Sequence, residues 1–255
     1  AHMASCMFEN DLDEECFGII WDGTGYGEDG SLWGGEFLMG DRKDFRRMGS
    51  IRPIPLIGNE KAIVEIGRIG LALSLEAGQE ILLFEKEKQE LLKTIGMPHS
   101  LSCTSMGRLF DGFYSLITSK TKRRYEGEAP VSLENMAAQT DKTYPYSFYI
   151  QNGIRYFDWK EMILMALTEA EQPSIQAKKM MNTLIEMAID QVKTLNPEKK
   201  PVVLSGGCFQ NMTILHGLIE KLMQLHYPVF WHREVSCNDE GIALGQLAIA
   251  HKRRK

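Results

Sequence analysis

Asp22 opens the stretch DGTGYGEDGSLWGGE, which carries six glycines in fifteen residues and follows the apolar run FGIIW. An aspartate at the carboxyl end of a buried strand projects into the crevice where open α/β sheets bind ligands, and bare backbone behind it lets N–H groups approach an anion. Metal ligation or phosphate contact is the chemistry such a residue can do, although a plain hairpin turn uses the same Asp and Gly types. In LSGGCFQNMTILHGL, a strand ending in Ser205 feeds Gly206 and Gly207, and a helix begins after Asn211, so backbone donors and a helix N-terminus converge. The spacing is neither that of a P-loop nor that of a dinucleotide fingerprint, and a tight strand-to-helix turn capped by Asn211 is the alternative. In SCNDEGIALGQ, Asp239 stands at a helix start, as a ligand or simply as an N-terminal cap.

These residues need strands and helices to hold them, and the chain alternates the two, which predicts an α/β fold. CFGIIW reads as a central strand and SLWGGEFLMG as its hairpin partner across the turn GEDG. Helical periodicity covers about 59–95, MGRLFDGFYSLITSK, VSLENMAAQ after the loop RRYEGEAP, and about 158–169 and 174–195. YSFYI and IRYFD form a short strand pair between them. The end is regular: strand PVVLS, loop GGCFQN, helix MTILHGLIEKLMQL, strand YPVFW, loop SCNDEG and helix IALGQLAIAHKRR.

With 255 residues, 44% of them hydrophobic and 25% charged, the chain can bury a sizeable core as one large domain or two lobes. A net charge of -5, with HKRRK the one basic run, gives no attraction to phosphate backbones or anionic membranes, so neither nucleic acid nor membrane is an expected partner. No apolar stretch approaches the roughly 18 residues that a membrane span needs, and no secretory signal is evident at the start, which makes the cytoplasm the expected compartment. Cys6, Cys16, Cys103, Cys208 and Cys237 have wide, irregular spacing without a C-x-x-C pair, and are expected as reduced, mostly buried thiols.

Read together, AHMASCMFE, WDGTGYGEDGSLWGGEFL, RPIPLIGNEKA, SMGRLFDGF, YEGEA, LSGGCFQN and NDEGIALGQ resemble, in order and across essentially the whole chain, the C-terminal carbamoyltransferase domain of the HypF hydrogenase maturation proteins. That family is similar to the universal tRNA threonylcarbamoyl-adenosine transferase and to O-carbamoyltransferases. The resemblance implies a two-lobed actin-like or Hsp70-like ATPase fold, here lacking the N-terminal part of its first lobe, with lobes at about 1–58 plus part of the C-terminal region and at 59–255.

It also implies a divalent metal (zinc, iron or magnesium, with manganese admissible) held by His2, Asp22 and Asp239, the family's other histidine falling before Ala1. AHMAS also resembles the remnant of an expression tag, and on that alternative His2 is no ligand. Gly23, Thr24 and Gly25 would line nucleotide phosphates from one lobe, facing Ser205, Gly206, Gly207, Gln210 and Asn211 from the other. Asp111, with Gly107 and Arg108 beside it, would contact the ribose, an exposed helix residue being the alternative, and Glu128 is a weaker candidate for the cleft, with a loop charge as the alternative. The chain departs from the family pattern at Met181, at Cys237 and at Gly58 to Glu60.

The implied cofactor is ATP, AMP or carbamoyl-adenylate. The implied reaction transfers the carbamoyl group to the C-terminal cysteine of the partner HypE, with carbamoyl phosphate and ATP handled by domains outside this chain. Carbamoylation of a small hydroxylated acceptor, and nucleotide binding without activity, are the alternatives.

Overall fold

The computed structural model describes residues 1–254. Helix α1 (His2–Glu9) leads into β1 (Cys16–Tyr26), β2 (Leu32–Gly40), β3 (Phe45–Ile51) and β4 (Ile54–Leu56), followed by α2 (Glu60–Val64), α3 (Gly67–Glu76) and α4 (Lys86–Leu91). Next come β5 (Leu101–Cys103), α5 (Met106–Thr118), α6 (Glu128–Met136), the hairpin β6 (Ser147–Gln151) and β7 (Ile154–Asp158), α7 (Lys160–Thr168) and α8 (Pro173–Leu195). The chain closes with β8 (Val202–Ser205), α9 (Met212–Gln224), β9 (Val229–Trp231) and α10 (Ile242–Arg253).

One mixed sheet runs through these elements in the order β6-β7-β3-β2-β1-β8-β9, with β4 and β5 paired at its side. β1 is antiparallel to β2 and parallel to β8. Its side chains alternate between two cores. Phe17, Ile19 and Trp21 enter the main cluster with α5 and α8, whereas Cys16 and Ile20 join Met3, Cys6 and Met7 of α1 on the other face. A strand covered on both faces reads as a near-continuous apolar run, which is why FGIIW lacks alternation. Each large side chain so buried contributes about 1.5–3 kcal/mol.

Three local expectations change. β1 does not stop before the glycines but continues to Tyr26, with its register broken between Trp21 and Gly25. The helical stretch expected over about 59–95 is interrupted, because α3 closes in a Schellman turn in which Gly78 N–H reaches Leu75 O at 3.0 Å and Gln79 N–H reaches Ser74 O at 2.9 Å. Asp158 ends a strand rather than starting a helix; its carboxylate accepts the Lys160 N–H at 3.1 Å. Among the described residues no helix is long and apolar enough to cross a membrane.

Candidate functional site

The two glycine segments meet because β1 and β8 are parallel neighbours, with Ile20 opposite Ser205. Asp22 of β1 and Gly206, just past the end of β8, therefore lie at the same level of one sheet. The expectation that these segments face each other from separate lobes is corrected: they lie side by side. In β1, Trp21 pairs with Gly35 and Gly25 with Trp33, so Asp22, Gly23 and Thr24 oppose Gly34 alone in a bulge. Bulges redirect side chains beside binding sites, and here Asp22 turns to accept the Gly207 N–H at 3.1 Å through Oδ1.

Its other carboxylate oxygen meets α1. His2 Nε2 lies 3.1 Å from Asp22 Oδ2 and 3.6 Å from Asp239 Oδ1, and one ligand atom from each of the three residues falls within 4.8 Å of the others. His2 and Asp22 are largely enclosed, while Asp239 is exposed. Burial pushes the Asp22 carboxyl up, but hydrogen bonds from His2 and from the N–H groups of Gly23 and Gly207 outweigh it and hold it below its ordinary value. One imidazole nitrogen and two carboxylates suit a borderline or hard divalent cation, so the residues fit the metal that the sequence suggested. Residues 3–7 of α1 are buried, and the helix packs against α10.

Next to this cluster opens a cavity of about 410 Å³. β1 supplies Asp22 and Gly23, and α5 supplies Gly107, Arg108 and Asp111. Gly207, Gln210 and Asn211 come from the turn before α9, and Asp239 closes the wall. The remaining expected residues lie elsewhere. Thr24 is exposed and donates to Gly23 O at 2.6 Å, and Gly25 borders a second cavity beyond His2 and Asp22. Ser205 is fully buried with its hydroxyl on His232, and Gly206 is packed under Trp21.

Local caps set the other walls. Ser105 accepts the Arg108 N–H at 3.1 Å and donates to Gly23 O, with Asp22 O 3.2 Å away, tying the start of α5 to the bulge. Asn211 caps α9 through the Ile214 N–H at 3.0 Å, and its amide sits 3.4 Å from Met181 Sδ.

Glu128 is corrected as a cleft residue. It is wholly buried and paired with Lys120 and Arg124, whereas Glu126, in the same YEGEA motif, lines the cavity. Sequence reasoning also missed Glu134, Asn238 and Glu240. Asn238 had a readable signal, since Asn before an acidic turn is a capping residue, and it accepts the Glu240 N–H at 2.9 Å. Glu134 had none, because its partner is the Thr213 N–H at 2.8 Å, remote in sequence.

Asp111 is 1% exposed and ion-paired to Arg108 at 2.9 Å. Burial pushes its carboxyl up to about 6, against the opposing pull of Arg108 and Arg123. Between the ordinary 3.8 and about 6 the folded state holds a proton that the unfolded chain has lost. The stability this proton contributes is present below the ordinary value and lost as pH rises through the folded one. The stability of Asp111→Asn relative to wild type should therefore increase between about pH 4 and about pH 7, as read from urea midpoints. A constant difference over that range would contradict the raised value.

Among the described residues all five cysteines are free, as the sequence suggested. Burial pushes up the thiols of Cys6, Cys16, Cys103, Cys208 and Cys237, so none supplies a ready thiolate to the cavity.

Residues 18–246 match the family model for the second subdomain of the Kae1-like carbamoyltransferase domain. The chain is 33% identical to the carbamoyltransferase HypF of Synechocystis sp. and 31% identical to that of Rhodobacter capsulatus, matching 97% and 98% of its own length and 36% and 34% of theirs. It thus spans about a third of the length of these relatives. A full-length HypF in its phosphate- and nucleotide-bound form superposes with a TM-score of 0.89 at 33% identity, covering 98% of this chain and 41% of that one. The HypF of T. kodakarensis, at 24% identity and a TM-score of 0.82, covers 99% of this chain and 36% of its own and shares the fold. The α/β fold is the actin-like one of these Kae1-like domains.

Proposed function

Because this chain belongs to the HypF carbamoyltransferase family, through the second subdomain of its Kae1-like domain, we propose that it passes a carbamoyl group from carbamoyl-adenylate to the C-terminal cysteine of a HypE partner. The observation that carries this reading is the cavity that joins the two strand-end glycine segments to Arg108 and Asp111 of α5, with Asp22 and Asp239 at its wall and His2 just behind them, 3.1 Å from Asp22. A relative that superposes on nearly the whole chain is a phosphate- and nucleotide-bound protein, which supports a nucleotide in this cavity.

His2, Asp22 and Asp239 would hold a divalent cation, whose charge would offset that of the nucleotide phosphates. The need for it follows from the lining. Asp22, Asp111, Glu126, Glu134, Asp239 and Glu240 face a single guanidinium, that of Arg108, so a bare polyphosphate would meet repulsion.

Gly23 and Gly207 leave backbone open to the phosphates, and Asp111, held by Arg108, is a hydrogen-bond partner for the ribose hydroxyls. In the transfer, the acceptor sulfur, having lost its proton to solvent, forms a bond to the carbamoyl carbon as the bond from that carbon to the phosphate oxygen breaks. AMP leaves with the electron pair. No thiol of this chain is poised as an intermediate carrier, which favours direct transfer. Carbamoyl-adenylate is supplied from carbamoyl phosphate and ATP by domains outside this chain.

The test supplies the chain, together with the upstream part of a HypF relative, with labelled carbamoyl phosphate, ATP and a HypE C-terminal peptide. Label on the peptide that disappears when its cysteine is replaced by serine is the expected result. Label on a small hydroxylated acceptor instead would make the protein an O-carbamoyltransferase. Nucleotide binding with no transfer at all would reduce it to a binding module.

A further inference from the structure

Ser205, His232 and Glu9 form one continuous hydrogen-bonded chain. Glu9 Oε2 lies 2.6 Å from His232 Nδ1, and His232 Nε2 lies 2.8 Å from Ser205 Oγ. The second Glu9 oxygen accepts the N–H groups of Arg233 at 2.7 Å and Glu234 at 2.8 Å. A carboxylate only accepts, so Nδ1 carries the imidazole proton and Nε2 receives the Ser205 hydroxyl. Backbone hydrogen bonds and His232 keep the Glu9 carboxyl below its ordinary value despite burial, and burial keeps the imidazole neutral, both consistent with that assignment.

The three residues sit on the three elements that deliver the site. Glu9 ends α1, which begins with His2. Ser205 ends β8 and precedes Gly206 and Gly207, the latter bonded to Asp22. His232 opens the loop that returns to Asp239, and that loop is bonded again to the glycine turn through Gly206 N–H and Cys237 O at 2.9 Å. Ser205 has no exposed surface and does not border the cavity, so its hydroxyl is not available to a ligand.

We propose that Glu9, His232 and Ser205 are positioning residues: their hydrogen-bonded chain fixes α1, the glycine turn and the Asp239 loop in the one arrangement that brings His2, Asp22 and Asp239 together. The proposal rests on reading those three residues as a single cation centre. Without the Ser205 hydroxyl, the His232 nitrogen is left buried without a donor, and the glycine turn loses its side-chain tie to α1.

Ser205→Ala, which removes one oxygen and needs no repacking, and His232→Asn, which keeps a donor for Glu9 but is too short for Ser205, test this on the full 255-residue chain. Hydrogen exchange of residues 206–211, read by mass spectrometry, should speed up about tenfold or more in both variants. Exchange of residues 16–21 and 106–118 should stay at the wild-type rate. Mn²⁺ affinity, measured by titration, should fall about 10–100-fold with the circular-dichroism spectrum unchanged. Wild-type exchange at 206–211 in Ser205→Ala would overturn the proposal, as would faster exchange there with Mn²⁺ affinity unaltered. If the wild-type chain binds no Mn²⁺, the cation centre itself is wrong, and the exchange rates of α1 and the turn alone decide whether the two are coupled.

Discussion

Replacing Gly207 with valine is expected to abolish adenine nucleotide binding while leaving the circular-dichroism spectrum intact. A Cβ at this position would stand 3.0 Å from Asp22 Oδ1 and 3.7 Å from Asn238 Cβ, and valine adds two methyl groups beyond it. The cheapest relief is to push the Asp22 carboxylate off the Gly207 N–H, which removes the contact that aims Asp22 at His2. A displaced ligand costs about 10–100-fold in cation affinity, and each lost charge-assisted hydrogen bond to phosphate costs roughly 1.5–3 kcal/mol. Together these place the affinity for Mg-ADP below detection by calorimetry. Gly207 faces the cavity rather than the core, so β8 and α9 keep their packing. Unchanged affinity in Gly207→Val would reject the site.

Gly206→Ala should instead strongly destabilise the fold. Gly206 holds φ at +107°, outside what L side chains tolerate, and a Cβ there would lie 2.2 Å from Trp21 O and 2.6 Å from Trp21 C. Neither atom can give way, because Trp21 is buried in the main core on β1, the strand next to β8. Backbone strain of about 1–3 kcal/mol adds to an overpacking cost of about 1–3 kcal/mol. The combined loss is a large fraction of the roughly 5–15 kcal/mol that stabilises a typical domain. Thermal unfolding should occur on the order of 10 °C lower, or the variant should fail to accumulate as folded protein. Gly23→Ala is the control: nothing lies within 4 Å of a Cβ there, and its stability should match wild type within about 0.5 kcal/mol. A Gly206→Ala protein that melts with wild type would show that the turn is free to move away from β1.

Much of the fold was legible in the residues. The alternation of apolar strands and periodic helices, the strand that ends at Ser205, the helix capped by Asn211 and the hairpin from β1 to β2 all rest on signals within a few neighbouring positions. The residue types at Asp22, Asp111, Gly207 and Asp239 were likewise readable, and all four line the cavity. What local signals did not carry was direction. Glu126 and Glu128 stand in one motif, yet Glu128 is drawn into the interior by Lys120 and Arg124 while Glu126 faces the cavity.

The sequence by itself determined the residue types at the strand ends, the α/β class and the family resemblance, because each depends on short-range propensity or on motif order. Only the tertiary structure decided that β1 and β8 are neighbours, that the bulge after Trp21 aims Asp22 at His2, and that Ser205 turns away from the cavity toward His232 and Glu9. These outcomes depend on pairing between segments up to about two hundred residues apart. The orientation of a buried polar group is set by whichever partner satisfies its hydrogen bonds there, and for Ser205 that partner, His232, is supplied by the loop after β9 and is held in turn by Glu9 of α1.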